Sequence, residues 1–229
     1  LEIADETGWG FVNIDLRPFY AEGSKTLAYE IAEALGWRAP DVIVAPVASG
    51  AMFTRVARGF EELAELGLIA NTPIRFVGGQ AAGCAPVATA FANDTLDLAP
   101  VRAPDTMVRS LAIGNPADGR YAVELARDSG GSIEAVDDPE TASRIRDVAR
   151  LEGIYSETAG GVTLGAVAAA RRRGVIRDGD EVVALLTGNG LKTPDARTLG
   201  EAAPRLAPVL RPSLSAFEAW LDGQDEVAS

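Results

Sequence analysis

Apolar β-branched runs alternate along the chain with stretches whose apolar residues return every three or four positions. Gly10–Asp15 (GFVNID) reads as a strand. Over Ser24–Gly36, Leu27, Ile31 and Leu35 fall at i, i+4 and i+8, which predicts a helix with Ser24 as its N-cap. Asp41–Ala45 carries a continuous apolar run and predicts a strand buried on both faces. Ala51–Leu66 predicts a helix with Phe53, Val56, Phe60 and Leu63 on its core face.

Ile74–Val77 is the next predicted strand and ends at Gly78-Gly79. A short helix over Cys84–Asn93, an irregular stretch over Arg102–Pro116, a helix over Ala117–Asp128 and a strand over Ser132–Val136 follow. Asp138-Pro139 opens another helix, with Asp138 as N-cap and Pro139 at its first position; Ala142, Ile145 and Val148 face the core and Gly153 ends it. Thr163–Arg173 is a further helix, closed by Gly174, and Glu181–Leu186 (EVVALL) a buried strand. Residues 193–212 are proline-rich and predict a surface wrap, and Ser213–Leu221 a short amphipathic helix. This order predicts an α/β fold, a three-layer sandwich with a mostly parallel sheet between helices.

Composition narrows the chemistry. The 229 residues suffice for one large domain or two small ones, and a hydrophobic share of 47% supports a sizeable core. A net charge of −12 argues against a nucleic-acid or anionic-membrane surface but leaves room for a small anion held by backbone N–H groups. With no histidine, Ser-His-Asp and Cys-His schemes and histidine-ligated metals are excluded. Cys84 is the only cysteine, so no internal disulfide forms and thiolate metal clusters are excluded; it reads as a small buried residue. No apolar stretch is long enough to span a membrane and no secretory signal pattern stands at Leu1, so a cytoplasmic location is the expectation. Leu1 is not a natural initiator, and LEIADETGWG reads like the end of a helix, which suggests a piece of something longer.

Ligands of open α/β sheets sit beyond the carboxyl ends of the strands. Three small-residue turns occupy such positions: Ala48–Met52, Gly78–Cys84 (GGQAAGC) and Thr187–Lys192 (TGNGLK). Any βα unit needs a turn, so each alone reads as ordinary; three together predict a shared cleft. The turn Ala48-Ser49-Gly50-Ala51 opens a helix, where N–H groups and the helix dipole favour an anion. GxGxxG and GxxxxGK[ST] are both absent, so a single phosphate suits the site better than a dinucleotide or a nucleoside triphosphate.

EGSKTLAYEIAEALGW, PVASGAMF, SLAIGNPADGRYA, ETAGGVTL and LLTGNGLKTPDA, in this order, resemble threonine synthase, a family of fold-type II pyridoxal 5'-phosphate (PLP) enzymes. The resemblance covers roughly residues 8–200. It implies a PLP cofactor whose phosphate is held by Ala48, Ser49, Gly50, Ala51 and Met52, and a pyridine nitrogen met by the hydroxyl of Thr187. A neutral hydroxyl there, rather than an aspartate, implies a mostly unprotonated nitrogen. Arg109, Asn115 and Glu157 resemble residues lining the same cleft on the substrate side. The substrate implied is a phosphorylated amino acid, O-phospho-L-homoserine, converted with water to L-threonine and phosphate.

The family's Schiff-base lysine belongs to an SFKDR-like segment that has no counterpart here, and Lys25 in EGSKT reads as a surface or helix-start residue. No catalytic lysine is therefore assigned. The expectation is an incomplete large domain, without turnover by itself. Its parts are a small-domain remnant over 1–22, the PLP-binding domain over 23–200 and a C-terminal wrap over 201–229. The partners implied are the missing N-terminal half and a second copy in a homodimer. Other readings stay open: a serine or threonine dehydratase-like enzyme, a non-catalytic module that kept the fold, or an unrelated doubly wound domain binding a phosphorylated metabolite.

Overall fold

The apolar run after Asp41 forms the central strand. In the computed structural model, which describes residues 18–193 together with Glu6, Gly8 and Trp220, β1 (Val42–Pro46) is buried along its whole length. It is joined by β2 (Arg75–Ala81), β3 (Ser132–Val136) and β4 (Val182–Ala184). All pairings are parallel and the spatial order is β3-β2-β1-β4. Val42 lies opposite Arg75 on one side and Val182 on the other.

The two-residue period of the strands divides the core between the two faces. Ile43, Ala45, Phe76 and Ile133 pack with Phe53, Val56 and Phe60 of α3 (Ala51–Glu65), Val87 of α4 (Pro86–Ala92) and Val123 of α5 (Gly119–Asp128). α1 (Pro18–Gly23) precedes α2 (Thr26–Ala34), whose Ala28 and Ala32 join this cluster. On the opposite face, Val42, Val44, Val77 and Val136 meet Ala159, Val162 and Ala166. Those residues belong to α7 (Thr158–Arg172), against which α6 (Asp138–Glu152) packs. The sheet is thus sandwiched between helical layers, and the three-layer parallel α/β architecture is confirmed.

The chain steps outward from β1 through β2 to β3 and then returns to place β4 on the free side of β1. This reversal creates a switch point between the carboxyl ends of β1 and β4, where open sheets of this kind form a crevice.

Several local expectations are corrected. Ser24 is not an N-cap, because α1 runs into α2 through a turn and Lys25, in αR geometry, occupies that position. The buried face of α2 is Ala28 and Ala32, while Leu27 and Ile31 are only partly buried. Gly78 and Gly79 lie inside β2, which runs on to Ala81, and the following turn is a 3-10 segment, Ala82–Cys84. Asp137, not Asp138, caps α6, its carboxylate accepting from the Glu140 N–H at 2.7 Å. α7 begins at Thr158, five residues before the predicted start. β4 is a three-residue, half-buried edge strand among the described residues. The strand expected over Gly10–Asp15, the proline-rich wrap after Thr193 and the boundary at residue 200 lie outside the described residues; of the expected Ser213–Leu221 helix only Trp220 is described, and it is helical. No described helix is long and apolar enough to cross a membrane.

Candidate functional site

The turn that leaves β1 is held by the backbone on both sides. The Val47 N–H donates to Gly79 O (2.8 Å) and the Asp118 N–H donates to Ser49 O (2.9 Å). Gly50, at the N-cap of α3, adopts φ +98°, a left-handed conformation that glycine takes without strain. A β-carbon there would lie 2.7 Å from the carbonyl oxygen of Asp118, so the close approach also requires glycine.

Among the described residues, no hydrogen bond engages the N–H groups of Ser49, Gly50, Met52 or Phe53. The Ala51 N–H reaches only the Ser49 hydroxyl, at 3.4 Å. Ser49 is 8% exposed. The opening of α3 therefore presents a set of unpaired donors and a hydroxyl at the switch point. That donor set fits a phosphate group, whose oxygens accept hydrogen bonds and whose charge the helix end favours.

The facing wall follows β4. Ser156 and Asn189 form an antiparallel bridge, the Glu157 N–H donates to Gly188 O (2.9 Å), and the Gly190 N–H donates to Tyr155 O (2.8 Å). These contacts zip Tyr155–Glu157, before α7, to Gly188–Gly190. Glu157 is 4% exposed, and its carboxylate accepts from the Thr187 hydroxyl (2.9 Å) and pairs with the Lys192 ammonium (3.1 Å). The structure thus unites Thr187 and Glu157, which stand 30 residues apart. The Asn189 side chain turns back to accept from the Leu191 N–H (2.9 Å).

Arg109 and Asn115 are exposed on the irregular segment between α4 and α5. That segment is pinned across the carboxyl ends of β2 and β3. The Asp105 N–H donates to Gly83 O (3.1 Å), and the Asp138 carboxylate accepts from the Thr106 hydroxyl (2.6 Å) and the Met107 N–H (2.8 Å). Asp138 therefore ties down a loop where a helix cap was expected. Arg109 and Asn115 are carried to the same edge of the sheet, and no hydrogen bond joins them to Ser49 or Thr187.

Lys25 lies elsewhere. It is buried rather than at the surface, with its ammonium bonded to Glu22 (2.6 Å) and Glu62 (2.7 Å). Its hydrogen bonds to the Glu22 and Glu62 carboxylates raise its pKa, so it is held as a cation. Glu62 sits three helical turns beyond Ala51, about 16 Å along α3 from the turn at Ser49.

Two supporting residues escaped the sequence reading. Gln80, fully buried, donates to Val47 O (3.3 Å) and accepts from the Val87 and Ala88 N–H groups (2.9 and 3.0 Å), joining the start of the turn to the start of α4. A lone amide inside the run FVGGQAA was the available signal. Asp118, in SLAIGNPADG, braces Ser49 and Gly50 through its backbone, which no side-chain pattern announces.

Fold and site together define a doubly wound α/β domain with a helix start of unpaired N–H donors at its switch point. Residues 1–188 match the family described as pyridoxal-phosphate dependent enzyme. Threonine synthase of Methanocaldococcus jannaschii is 34% identical over 189 residues, covering 82% of this chain and 46% of that protein. Threonine synthase of Mycobacterium tuberculosis (strain H37Rv) is 37% identical over 213 residues, covering 91% and 56%. The processed form of threonine deaminase isoform 2 from Solanum lycopersicum superposes with a TM-score of 0.69 at 19% identity, covering 89% of this chain and 55% of that one. O-ureido-L-serine synthase does so with a TM-score of 0.63 at 19% identity, covering 95% and 59%. The chain belongs to the pyridoxal-phosphate-dependent enzyme family, of fold type II, and spans about half the length of the curated threonine synthases it matches. PLP is the family's cofactor.

Proposed function

We propose that this chain is the cofactor-holding part of a threonine synthase, which converts O-phospho-L-homoserine and water to L-threonine and phosphate. The observation that carries the reading is the unpaired donor set at the start of α3, at the switch point of a chain 34–37% identical to threonine synthases. The N–H groups of Ser49, Gly50, Met52 and Phe53, with the Ser49 hydroxyl, hold the cofactor phosphate. Thr187 meets the ring nitrogen from the opposite wall. The bound cofactor supplies an electron sink for proton loss and γ-phosphate elimination in the substrate. Arg109 offers a guanidinium and Asn115 an amide to the substrate's own phosphate, and both side chains are exposed and uncommitted for that role.

The chain contains two lysines. Lys25 is ion-paired far from the site, and Lys192 is paired with Glu157. The polypeptide by itself therefore binds the cofactor without a covalent link and without turnover. Titration with PLP, with inorganic phosphate as competitor, tests this reading. Phosphate-competable binding that Ser49→Asp abolishes and borohydride cannot trap is the expected result. Binding indifferent to Ser49→Asp would place the phosphate elsewhere, and a borohydride-trapped adduct on Lys25 or Lys192 would overturn the assignment of those lysines.

A further inference from the structure

The irregular segment between α4 and α5 closes on itself. The Val101 N–H donates to Gly114 O at 2.9 Å, and a β-carbon on Gly114 would run into the Val101 carbonyl, so the closure requires glycine. A loop whose ends meet and whose own side chains fill it is a compact unit rather than a loose connection. Val108 and Leu111 are its plugs, both buried in the apolar cluster that includes Ala159 of α7. They stand three residues apart across a 3-10 turn, where such residues share one side, so Arg109 and Ser110 between them are turned outward.

The anchor of this unit is Asp138, in the first turn of α6, where the helix dipole favours its charge. One carboxylate oxygen accepts from the Thr106 hydroxyl (2.6 Å) and the other from the Met107 N–H (2.8 Å). The Thr106 oxygen in turn accepts from the Val108 N–H (3.1 Å). This chain of bonds ends at the residue immediately before Arg109. Among the described residues, no hydrogen bond or ion pair engages the Arg109 side chain itself. The backbone beneath the guanidinium is therefore fixed while the guanidinium stays free for an anion.

We infer that Asp138 is a positioning residue: through Thr106 and Met107 it fixes the closed loop so that Arg109 meets the substrate's phosphate already oriented. This rests on the assignment of Arg109 to that phosphate under the proposed function. Asp138 acts through the backbone and touches neither substrate nor cofactor. An arginine on an unfixed loop would have to lose its freedom on binding, and affinity for the phosphorylated ligand would fall accordingly. The cofactor phosphate is assigned to a different element, the start of α3, so its affinity does not depend on Asp138.

The test is calorimetric titration of the full, PLP-saturated chain with O-phospho-L-homoserine and with L-homoserine, which lacks the phosphate. The wild type should prefer the phosphorylated ligand by at least about thirtyfold. Asp138→Ala and Thr106→Val should each cut that preference about tenfold, with PLP affinity unchanged. Asp138→Asn should retain it, because the amide oxygen still accepts from the Met107 N–H and the amide nitrogen donates to the Thr106 oxygen. On an Arg109→Ala background, Asp138→Ala should change nothing further. Thr106→Val keeps the readout available if Asp138→Ala fails to fold. A purely structural Asp138 would weaken the cofactor and both ligands together. That result, an undiminished preference in Thr106→Val, or a loss that persists on the Arg109→Ala background overturns the inference while leaving the cofactor site standing. A wild type that binds PLP without distinguishing the two ligands overturns the assignment of Arg109 and this inference with it. No PLP binding by the wild type overturns the proposed function and, with it, the inference.

Discussion

α3 carries a left-handed glycine at each end, and the two differ in one respect. Gly50 has φ +98° and a β-carbon there would meet Asp118 O at 2.7 Å, whereas Gly67 has φ +71° and nothing within 4 Å. Alanine at either position costs about 1–2 kcal/mol for the backbone conformation, less a few tenths for a stiffer unfolded chain. At Gly50 the added methyl must also open roughly 0.7 Å of space to reach ordinary van der Waals contact. Asp118 cannot simply retreat, because its N–H is bonded to Ser49 O and it leads into α5. Overpacking of this kind costs about 1–3 kcal/mol. Gly67→Ala should therefore lose about 1 kcal/mol and Gly50→Ala about 3 kcal/mol, or roughly 3 °C and 9 °C in Tm for a chain of this size. Chemical denaturation of both variants beside the wild type measures the difference. PLP affinity should fall at least about tenfold in Gly50→Ala, because the donor set is displaced by more than a hydrogen bond tolerates, and stay at the wild-type value in Gly67→Ala. Equal losses within about 0.5 kcal/mol would refute the reasoning, since the Asp118 contact would then be carrying nothing.

Gln80→Leu keeps the volume but strands Val47 O and two N–H groups of α4, so it should cost about 3 kcal/mol in urea denaturation; a loss below about 1 kcal/mol would mean water replaces the amide. The Arg75 guanidinium, at 2.6 Å, holds the Asp180 carboxyl below the usual aspartate range. A depressed pKa contributes stability that is present above the unfolded value and lost as pH falls through the folded one. Acid titration of Tm should therefore show a fall below the ordinary aspartate range that is shallower in Asp180→Asn, and an identical acid limb in that variant would exclude the pair as its source.

What was legible in the sequence was whatever a local pattern can carry. VIVAP followed by the i, i+3, i+7, i+10 series Phe53, Val56, Phe60, Leu63 marked a buried strand entering a helix, and both formed. Gly78 and Gly79 misled because glycine usually signals a turn. Here they sit within the strand because neighbouring side chains fill both sides: Ile133 and Val47 crowd Gly78, and Val162 and Ala166 crowd Gly79. EVVALL reads as a buried strand, but its place at the edge of the sheet formed by the described residues depends on the order of strands, which no window of residues contains. The Ala48–Met52 turn could be read for its chemistry, while the Glu157–Thr187–Lys192 cluster joins segments that only the fold brings together.

The position of β4 also sets an order in time. β1 pairs with β2 at a separation of 33 residues and with β4 at 140. Closing the longer loop costs about 1.3 kcal/mol more in chain entropy, and it is repaid by only three half-buried residues. Distant pairings of this kind form late. In refolding from denaturant, the turn at Ser49 should regain its shape with the β1-β2-β3 body, and the wall bearing Thr187 should close afterwards. The protein would then pass through a stage that recognises inorganic phosphate but not the whole cofactor.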